Sequence, residues 1–500
     1  MSPSNWAAQK AGSINRVIGA IVSHPLFGRG QVLELRNAAR ESVVRFDNGI
    51  RTVVQTNMLS VLHQTAEPAV AASRAKAAPQ LPSPMAQLRD QASFTPEQLK
   101  RIEARRTIEA LRFGVVPNKR IRELSCGLDK ERQSLDSAFD TVEQTGGDVR
   151  VVLGEYGTGK SHFFELAAQE ALARNFLVTT TSLDVREVPP NRPQRIYNAL
   201  VRSLRYPDTQ DAGTLVPLLE RILNKPAVYA ALGEKLRGTT FATVLHNYSL
   251  MRGTGDETLE PLLDWISGEK VYIKSVRDAL VVNNKDFPVR ALSIMTTSAD
   301  QYCYLLNGWG WLASQVGYAG IAVLLDESEH YSLLNQRGQE RADNFFKALI
   351  YTAMASRKDN RLAEASLQHQ RREHPFRFAE RSQMLLMFAV TPSANTFDYR
   401  RWLNEEQILP LTGYLSDRAL DELMAQLYAL HKQAYSYERR DDHLTLSKGA
   451  QEGLEQRLIN LRQAIRLAAE VYDLCYAHPD YSAAQAVEEL RRSLFGRHGS

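Results

Sequence analysis

Apolar and polar residues along this 500-residue chain fall into three regimes. Between residues 24 and 62, HPLFGRGQVLELRN and ESVVRFDNGIRTVV alternate with the period of half-buried strands. Gly28 and Gly30 mark one bend, and Asn48-Gly49, a strong hairpin signal, marks another. Residues 64–93, including AEPAVAASRAKAAPQLPSP, are rich in Ala and Pro and have no period that could build a core, so an extended tether is expected. Order resumes at Thr95-Pro96-Glu97-Gln98, which combines capping-box spacing with proline at the first helical position, and the predicted helix runs on through RRTIEALRFG.

Beyond that helix, short apolar runs alternate with helical periods, an α/β pattern. Strands are predicted at Val149–Leu153, in FLVTTTSLD, at IAVLL before Asp326, and in MLLMFAV before Thr391. Phe163, Phe164, Leu166, Ala167, Ala171 and Leu172 recur at helical spacing after the first of these. Residues 205–300 read as a mostly helical insertion carrying PLLERILNK, YAALGEKLRG and PLLDWISGEK. A further helix is expected over 341–355, then a basic loop or frayed helix through RKDNRLAEASLQHQRREHPFRF. The last 85 residues hold three helical runs: DRALDELMAQLYALHKQAY, QEGLEQRLINLRQAIRLAAEVYDLCY and AAQAVEELRRSLF.

The first strand runs into Gly154-x-x-x-x-Gly159-Lys160-Ser161, a complete phosphate-binding loop pattern. Glycines let backbone N–H groups turn inward around a β-phosphate, and the following helix points its positive end at the same place. Gly154, Glu155, Tyr156, Gly157, Thr158, Gly159, Lys160, Ser161 and His162 are therefore the expected nucleotide-binding residues, with a nucleoside triphosphate as the ligand. Lys160 would reach the β- and γ-phosphates, and the Ser161 hydroxyl would ligate Mg²⁺. IAVLLDESEHY supplies the acidic half of such a site: Asp326 as the second Mg²⁺ residue and Glu327 as the group that activates water. Glu329 reads equally well as a helix-start acid favoured by the dipole.

At 44% hydrophobic content the chain can bury more than one core, and its length suggests roughly two to four domains. No segment approaches the roughly 18 apolar residues of a spanning helix, and MSPSNWAAQK lacks the apolar core of a secretory signal. A cytoplasmic protein without a membrane partner is expected. Cys126, Cys303 and Cys475 lie far apart without a CxxC pair, which excludes a zinc ribbon of the usual spacing and leaves three buried thiols as the expectation. Net charge is only +4, yet residues 1–62 hold seven basic side chains against three acidic ones, so attraction to a polyanion is expected from that end.

Two resemblances sharpen this reading. The FGxGxV…VxFDxG pattern at residues 27–49 resembles the small Tudor/SH3-like barrel of UvrD/PcrA-type helicases, which implies a β-barrel over 1–63 whose ligand is nucleic acid or protein. RRTIEALRFGVVPN, GEYGTGKSHFFE, and FLVTTTSLD followed by VPPNRPQRIYNALV together resemble the BrxC/BrxD-like P-loop ATPases of BREX-type phage defence, relatives of the origin-recognition branch of AAA+ proteins. That resemblance covers roughly residues 100–205. It implies an α/β P-loop AAA+-like core over 94–410 with a helical lid over 411–500. It further implies that Lys160 and Glu327 serve ATP hydrolysis, that Thr391 and Asn395 occupy the first sensor position, and that Arg462, with Arg466 one turn on, occupies the second. Arg337, Arg341 and Arg418 are eligible to complete a neighbouring subunit's site. Implied partners are DNA, through the barrel or the insertion, other defence-system proteins, and further copies of the chain assembled with ATP. A slowly turning nucleotide-dependent scaffold shares every one of these residues. A helicase fits less well, because no second RecA-like half is evident.

Overall fold

The computed structural model describes residues 21–24, 28–36, 41–46, 51–55, 60–63 and 94–489, apart from 118, 211, 254–255, 291, 293–297, 355–356, 370–374, 394, 438–442, 444–451, 455, 457 and 483. The chain divides into two compact units, Met1–Ser93 and Phe94–Ser500.

In the first unit, β1 (Ile21–His24), β2 (Gly28–Arg36), β3 (Glu41–Phe46), β4 (Arg51–Gln55) and β5 (Ser60–His63) form an antiparallel sheet of order β4-β3-β2-β1-β5. Val22, Val32 and Val44 are buried on it, as the alternating sequence requires. The Asn48-Gly49 turn and the 64–93 tether lie outside the described residues.

The second unit opens with α1 (Pro96–Arg112), whose predicted cap is present: Thr95 Oγ1 accepts from the Gln98 N–H at 3.2 Å, and Gln98 Oε1 accepts from the Thr95 N–H at 2.8 Å. α2 (Asp129–Thr145) then leads into β6 (Gly147–Leu153), α3 (Lys160–Ala173) and β7 (Phe176–Ser182). β8 (Gly320–Asp326), β9 (Met384–Val390) and the short β10 (Ile408–Pro410) complete a parallel sheet of order β10-β6-β9-β8-β7. The loop-bearing strand β6 and the acid-bearing strand β8 are thus not neighbours, because β9 lies between them.

Alternate residues of these strands feed two cores. Val149, Val151, Ile321, Val323, Leu386 and Phe388 face one, while Val152, Ala322, Leu324, Leu385 and Met387 face the other with Phe163, Phe164 and Leu166 of α3. Burial on both faces is why these strands read as unbroken apolar runs and not as alternation.

Between β7 and β8 the chain forms α4 (Pro193–Arg202), α5 (Val216–Leu223), α6 (Pro226–Leu236), α7 (Thr240–Met251), α8 (Asp256–Ile266), α9 (Ile273–Ala279) and α10 (Ala299–Gln315). Leu218, Phe241 and Trp265 from the 205–300 region join the same buried cluster as Val149 and Val323, so this insertion packs into the main core. α11 (Gln336–Ala353) follows β8, and residues 357–369 are irregular apart from a 3-10 turn at Glu364–Ser366. α12 (Asp417–Tyr435) coincides with a predicted helix. The run predicted as helical over 451–476 is broken: α13 (Leu461–Ala477) starts afresh behind Asn460, which forms a capping box with Gln463. Among the described residues no helix is long and apolar enough to cross a membrane. All three cysteines are buried, and none is in a disulfide.

Candidate nucleotide site

β6 delivers the loop to the carboxyl edge of the sheet, where the Gly154 N–H donates to the Val390 carbonyl at 3.1 Å and so continues the β6–β9 ladder. Gly157 and Gly159 then adopt φ of 83° and 98°, a region where a side chain is strained. A Cβ on Gly157 would also lie 2.6 Å from the Asn460 side chain, so lid and loop meet there backbone to cap.

Lys160, the first residue of α3, is buried. Its ammonium donates to the carbonyls of Gly154 (2.8 Å) and Glu155 (3.2 Å) and to Thr391 Oγ1 (2.9 Å). Burial holds it below the ordinary lysine pKa, even though Glu329, Asp326, Glu155 and Glu327 all act to raise it. Its neighbour Ser161 donates to Asp326 Oδ2 at 2.7 Å. The interposed strand β9 carries Thr391 to the edge between β6 and β8, and Thr391 donates its proton to Glu329 Oε1. Lys160, Thr391 and Glu329 therefore form a chain across three strand ends.

The two glutamates after Asp326 differ. Glu327 takes a left-handed backbone conformation, φ 54° and ψ 36°; its N–H turns back onto Asp326 Oδ1 (2.8 Å), and its half-exposed carboxylate stands 4.0 Å from His330 Nδ1. Glu329, in the 3-10 turn Ser328–Leu333, reaches Thr391 and keeps Oε2 buried without a hydrogen-bond partner.

On the other side of the loop lies a mostly apolar cavity walled by Leu111, Val116, Leu128, Leu411, Leu461 and Ile465, with Gly157, Thr158 and Gly159 at its edge. It joins the segment after α1, the loop and the lid, whose helices share one core with Leu111 and Leu124. His162 faces this cavity. Its Nε2 lies 2.8 Å from Ser125 Oγ, and burial, with Arg132 adding to it, pulls its pKa down to about 4. The Cys126 thiol beside it is pushed up to about 11 by burial, a neutral wall residue.

Arg462, one residue into α13, donates to the Tyr156 hydroxyl at 3.0 Å and lies 5.1 Å from the centroid of that exposed ring. Arg466 turns along its own helix toward Glu470 at 4.0 Å. Asn395 is exposed, as are Arg337, Arg341 and Arg418. Asn460 was not singled out from sequence; the Asn-x-x-Gln spacing at 460–463 is the signal that marks it.

Ser161 and Asp326 together present hard oxygen donors of the type Mg²⁺ takes, and Mg²⁺ ordinarily binds through one or two protein groups with phosphate and water oxygens completing its shell. Among the described residues no group of three or more His, Cys, Asp and Glu side chains gathers to hold a metal, so Mg²⁺ here would depend on the phosphates.

A parallel sheet with a glycine-rich loop after one strand, an acid after another and a capped C-terminal helix beside them is an α/β arrangement suited to a nucleotide. Residues 99–228 and 225–361 match the family described as BREX system ATP-binding protein BrxC/D, and the chain belongs to that family. No curated relative matches it. A solved structure of Drosophila ORC bound to DNA is similar at 12% identity and a TM-score of 0.33, over 86% of this chain and 74% of that one.

Proposed function

We propose that this protein is a Mg²⁺-dependent ATPase of AAA+ type that acts on or with DNA in a bacterial anti-phage defence system. The observation that carries the reading is the convergence of Lys160, Thr391 and Glu329 with the Ser161–Asp326 pair at one edge of the sheet.

The loop N–H groups and the start of α3 would hold the β-phosphate, and Lys160 would exchange its carbonyl partners for β- and γ-phosphate oxygens. The base would enter the apolar cavity, where His162 stays neutral at physiological pH and leaves the loop without a second cation. Ser161 and Asp326 would hold Mg²⁺, which when bound neutralises charge on the phosphates. Thr391 would donate to the γ-phosphate, and Arg462 would leave the Tyr156 ring to reach it. Glu327 would take a proton from the attacking water.

Phosphate release from MgATP, measured with and without duplex DNA, tests the reading. Turnover is expected; a folded, ATP-binding protein without turnover would favour the second reading, a nucleotide-dependent scaffold. One observation supports that alternative: Glu327 stands half exposed and is not hydrogen-bonded to Lys160 or Thr391. The basic segment 1–62 is the part we assign to DNA, so deleting it should weaken DNA binding, lower the salt dependence of what remains, and spare basal turnover. Other defence-system proteins are the proposed protein partners. ATP-dependent self-association is expected, with Arg337, Arg341 and Arg418 exposed and eligible to reach a neighbouring site; sedimentation with and without MgATP checks it.

A further inference from the structure

Glu329 belongs to the cluster that carries the reading above, but no step of that reading uses its carboxylate. The Thr391 hydroxyl has a single proton, which it donates to Glu329 Oε1, while its oxygen accepts from the Lys160 ammonium. In this arrangement Thr391 has no proton for a γ-phosphate. Glu329 in turn is held by little else: Oε2 is buried and unpartnered, a state that costs free energy and makes the carboxylate easy to displace. Glu327, two residues earlier, touches neither Thr391 nor Lys160 through a hydrogen bond, so the arrangement is particular to Glu329.

A γ-phosphate entering beside Lys160 competes for both partners of Thr391. It draws the ammonium away from Oγ1, and it offers the hydroxyl a more highly charged acceptor than a carboxylate. A nucleoside diphosphate can draw the ammonium through its β-phosphate, but it brings no acceptor to the Thr391 hydroxyl and leaves the bond to Glu329 in place. The Glu329–Thr391 bond therefore opposes triphosphate binding selectively, and the Glu329 carboxylate is freed only when a γ-phosphate is present.

We propose that Glu329 is a γ-phosphate-responsive positioning residue, which holds the Thr391 hydroxyl in the empty site and is released when a triphosphate displaces it. This rests on the reading of the loop as an ATP site. Removing the carboxylate should tighten triphosphate binding while leaving diphosphate binding nearly unchanged, so the discrimination between the two is the quantity that reports it.

The experiment is a set of calorimetric titrations of MgATP and MgADP into the full-length protein, unaltered and as Glu329→Ala, Glu327→Ala, Thr391→Val and the Glu329→Ala/Thr391→Val double variant, with far-ultraviolet circular dichroism of each. Glu329→Ala should raise the ratio of ATP to ADP affinity by about tenfold, the scale of one charge-assisted hydrogen bond. Glu327→Ala removes an equal charge nearby and should change that ratio less than threefold. In the Thr391→Val background, where no hydroxyl remains to be held, Glu329→Ala should have no effect on the ratio. An unchanged ratio in folded Glu329→Ala, or an equal shift with Thr391 already replaced, overturns the inference alone. Failure of the unaltered folded protein to bind either nucleotide contradicts the ATP-site reading itself, and the inference falls with it.

Discussion

The two ends of strand β6 both carry buried charge, and they treat it in opposite ways. At the amino end, Asp148 is fully buried, yet both carboxylate oxygens are paired: Oδ2 with Arg150 Nε at 2.8 Å and Oδ1 with Arg357 Nη1 at 2.7 Å, while Gln407 Nε2 approaches at 3.3 Å. Arg357 is closed off in turn by Asp359, and Arg150 donates to the Glu406 carbonyl at 2.6 Å. Burial still pushes the Asp148 carboxyl above the ordinary aspartate pKa, while the neighbouring carboxylates push the Arg357 guanidinium up. At the carboxyl end, Glu329 Oε2 has no partner, the Lys160 ammonium is held below its ordinary pKa, and Thr391 shares its one hydroxyl between the two. A network whose buried carboxylate is paired at both oxygens asks nothing of a ligand, whereas one with an unpartnered buried oxygen leaves a group that a ligand can rearrange.

The sharpest way to break this contrast is Lys160→Ala. The open end should lose detectable ATP binding by calorimetry while the circular dichroism spectrum stays native, because Lys160 contributes donors and little packing. Retained micromolar binding by the folded variant would move the phosphate site elsewhere.

At the closed end the signature reverses. Arg357→Ala strips one of two cations from a buried carboxylate and should destabilise the protein by about 3 kcal/mol in urea unfolding, with the ATP affinity of the folded protein unchanged. A loss below about 0.5 kcal/mol, the scale of a surface pair, would deny that this network is buried and closed.

Glu327→Gln sharpens the comparison within the open end. It should lower turnover on the order of 10²-fold with ATP affinity preserved, as expected for a group that acts on water and not on binding. Unchanged turnover would shift the base role toward Glu329.

The effect confined to acid pH concerns His162. Its folded pKa of about 4 lies below the ordinary histidine value of about 6.5, so the unfolded chain takes up a proton that the folded protein refuses. The stability it contributes is full above pH 6.5 and is lost as pH falls toward 4, by about 1.4 kcal/mol per unit. His162→Gln, which keeps a polar neighbour for Ser125, should flatten that part of the urea-midpoint profile; an unaltered slope would place the acid sensitivity in other groups.

Much of the open end was legible in the sequence, and the reason is local. The glycine spacing at 154–159 is a backbone requirement, and unbroken apolar runs ending in Asp326 and Thr391 identify buried strands and what stands at their carboxyl edge. What the sequence did not reveal depends on strand order. Glu329 reads as a helix-start acid until β9 is seen between β6 and β8, which carries Thr391 against it. The Arg462–Tyr156 contact likewise depends on where the lid helix begins, set by the cap at Asn460 within a run whose apolar period continues through it. In sequence His162 continues the phosphate loop, whereas in the fold it faces the cavity because the first turn of α3 points it at Ser125. The closed end carried no motif at all: Asp148, Arg357 and Gln407 are brought together only by folding.

Amide hydrogen exchange of the full-length protein, followed by mass spectrometry with and without MgATP, compares the two ends in one measurement. Nucleotide should slow exchange in peptides covering 154–162, 326–330, 391–393 and 460–466, and leave those covering 147–150 and 357–360 unchanged. Equal protection at both ends, or none at 154–162 under saturating ATP, would contradict the assignment of the open network as the nucleotide site.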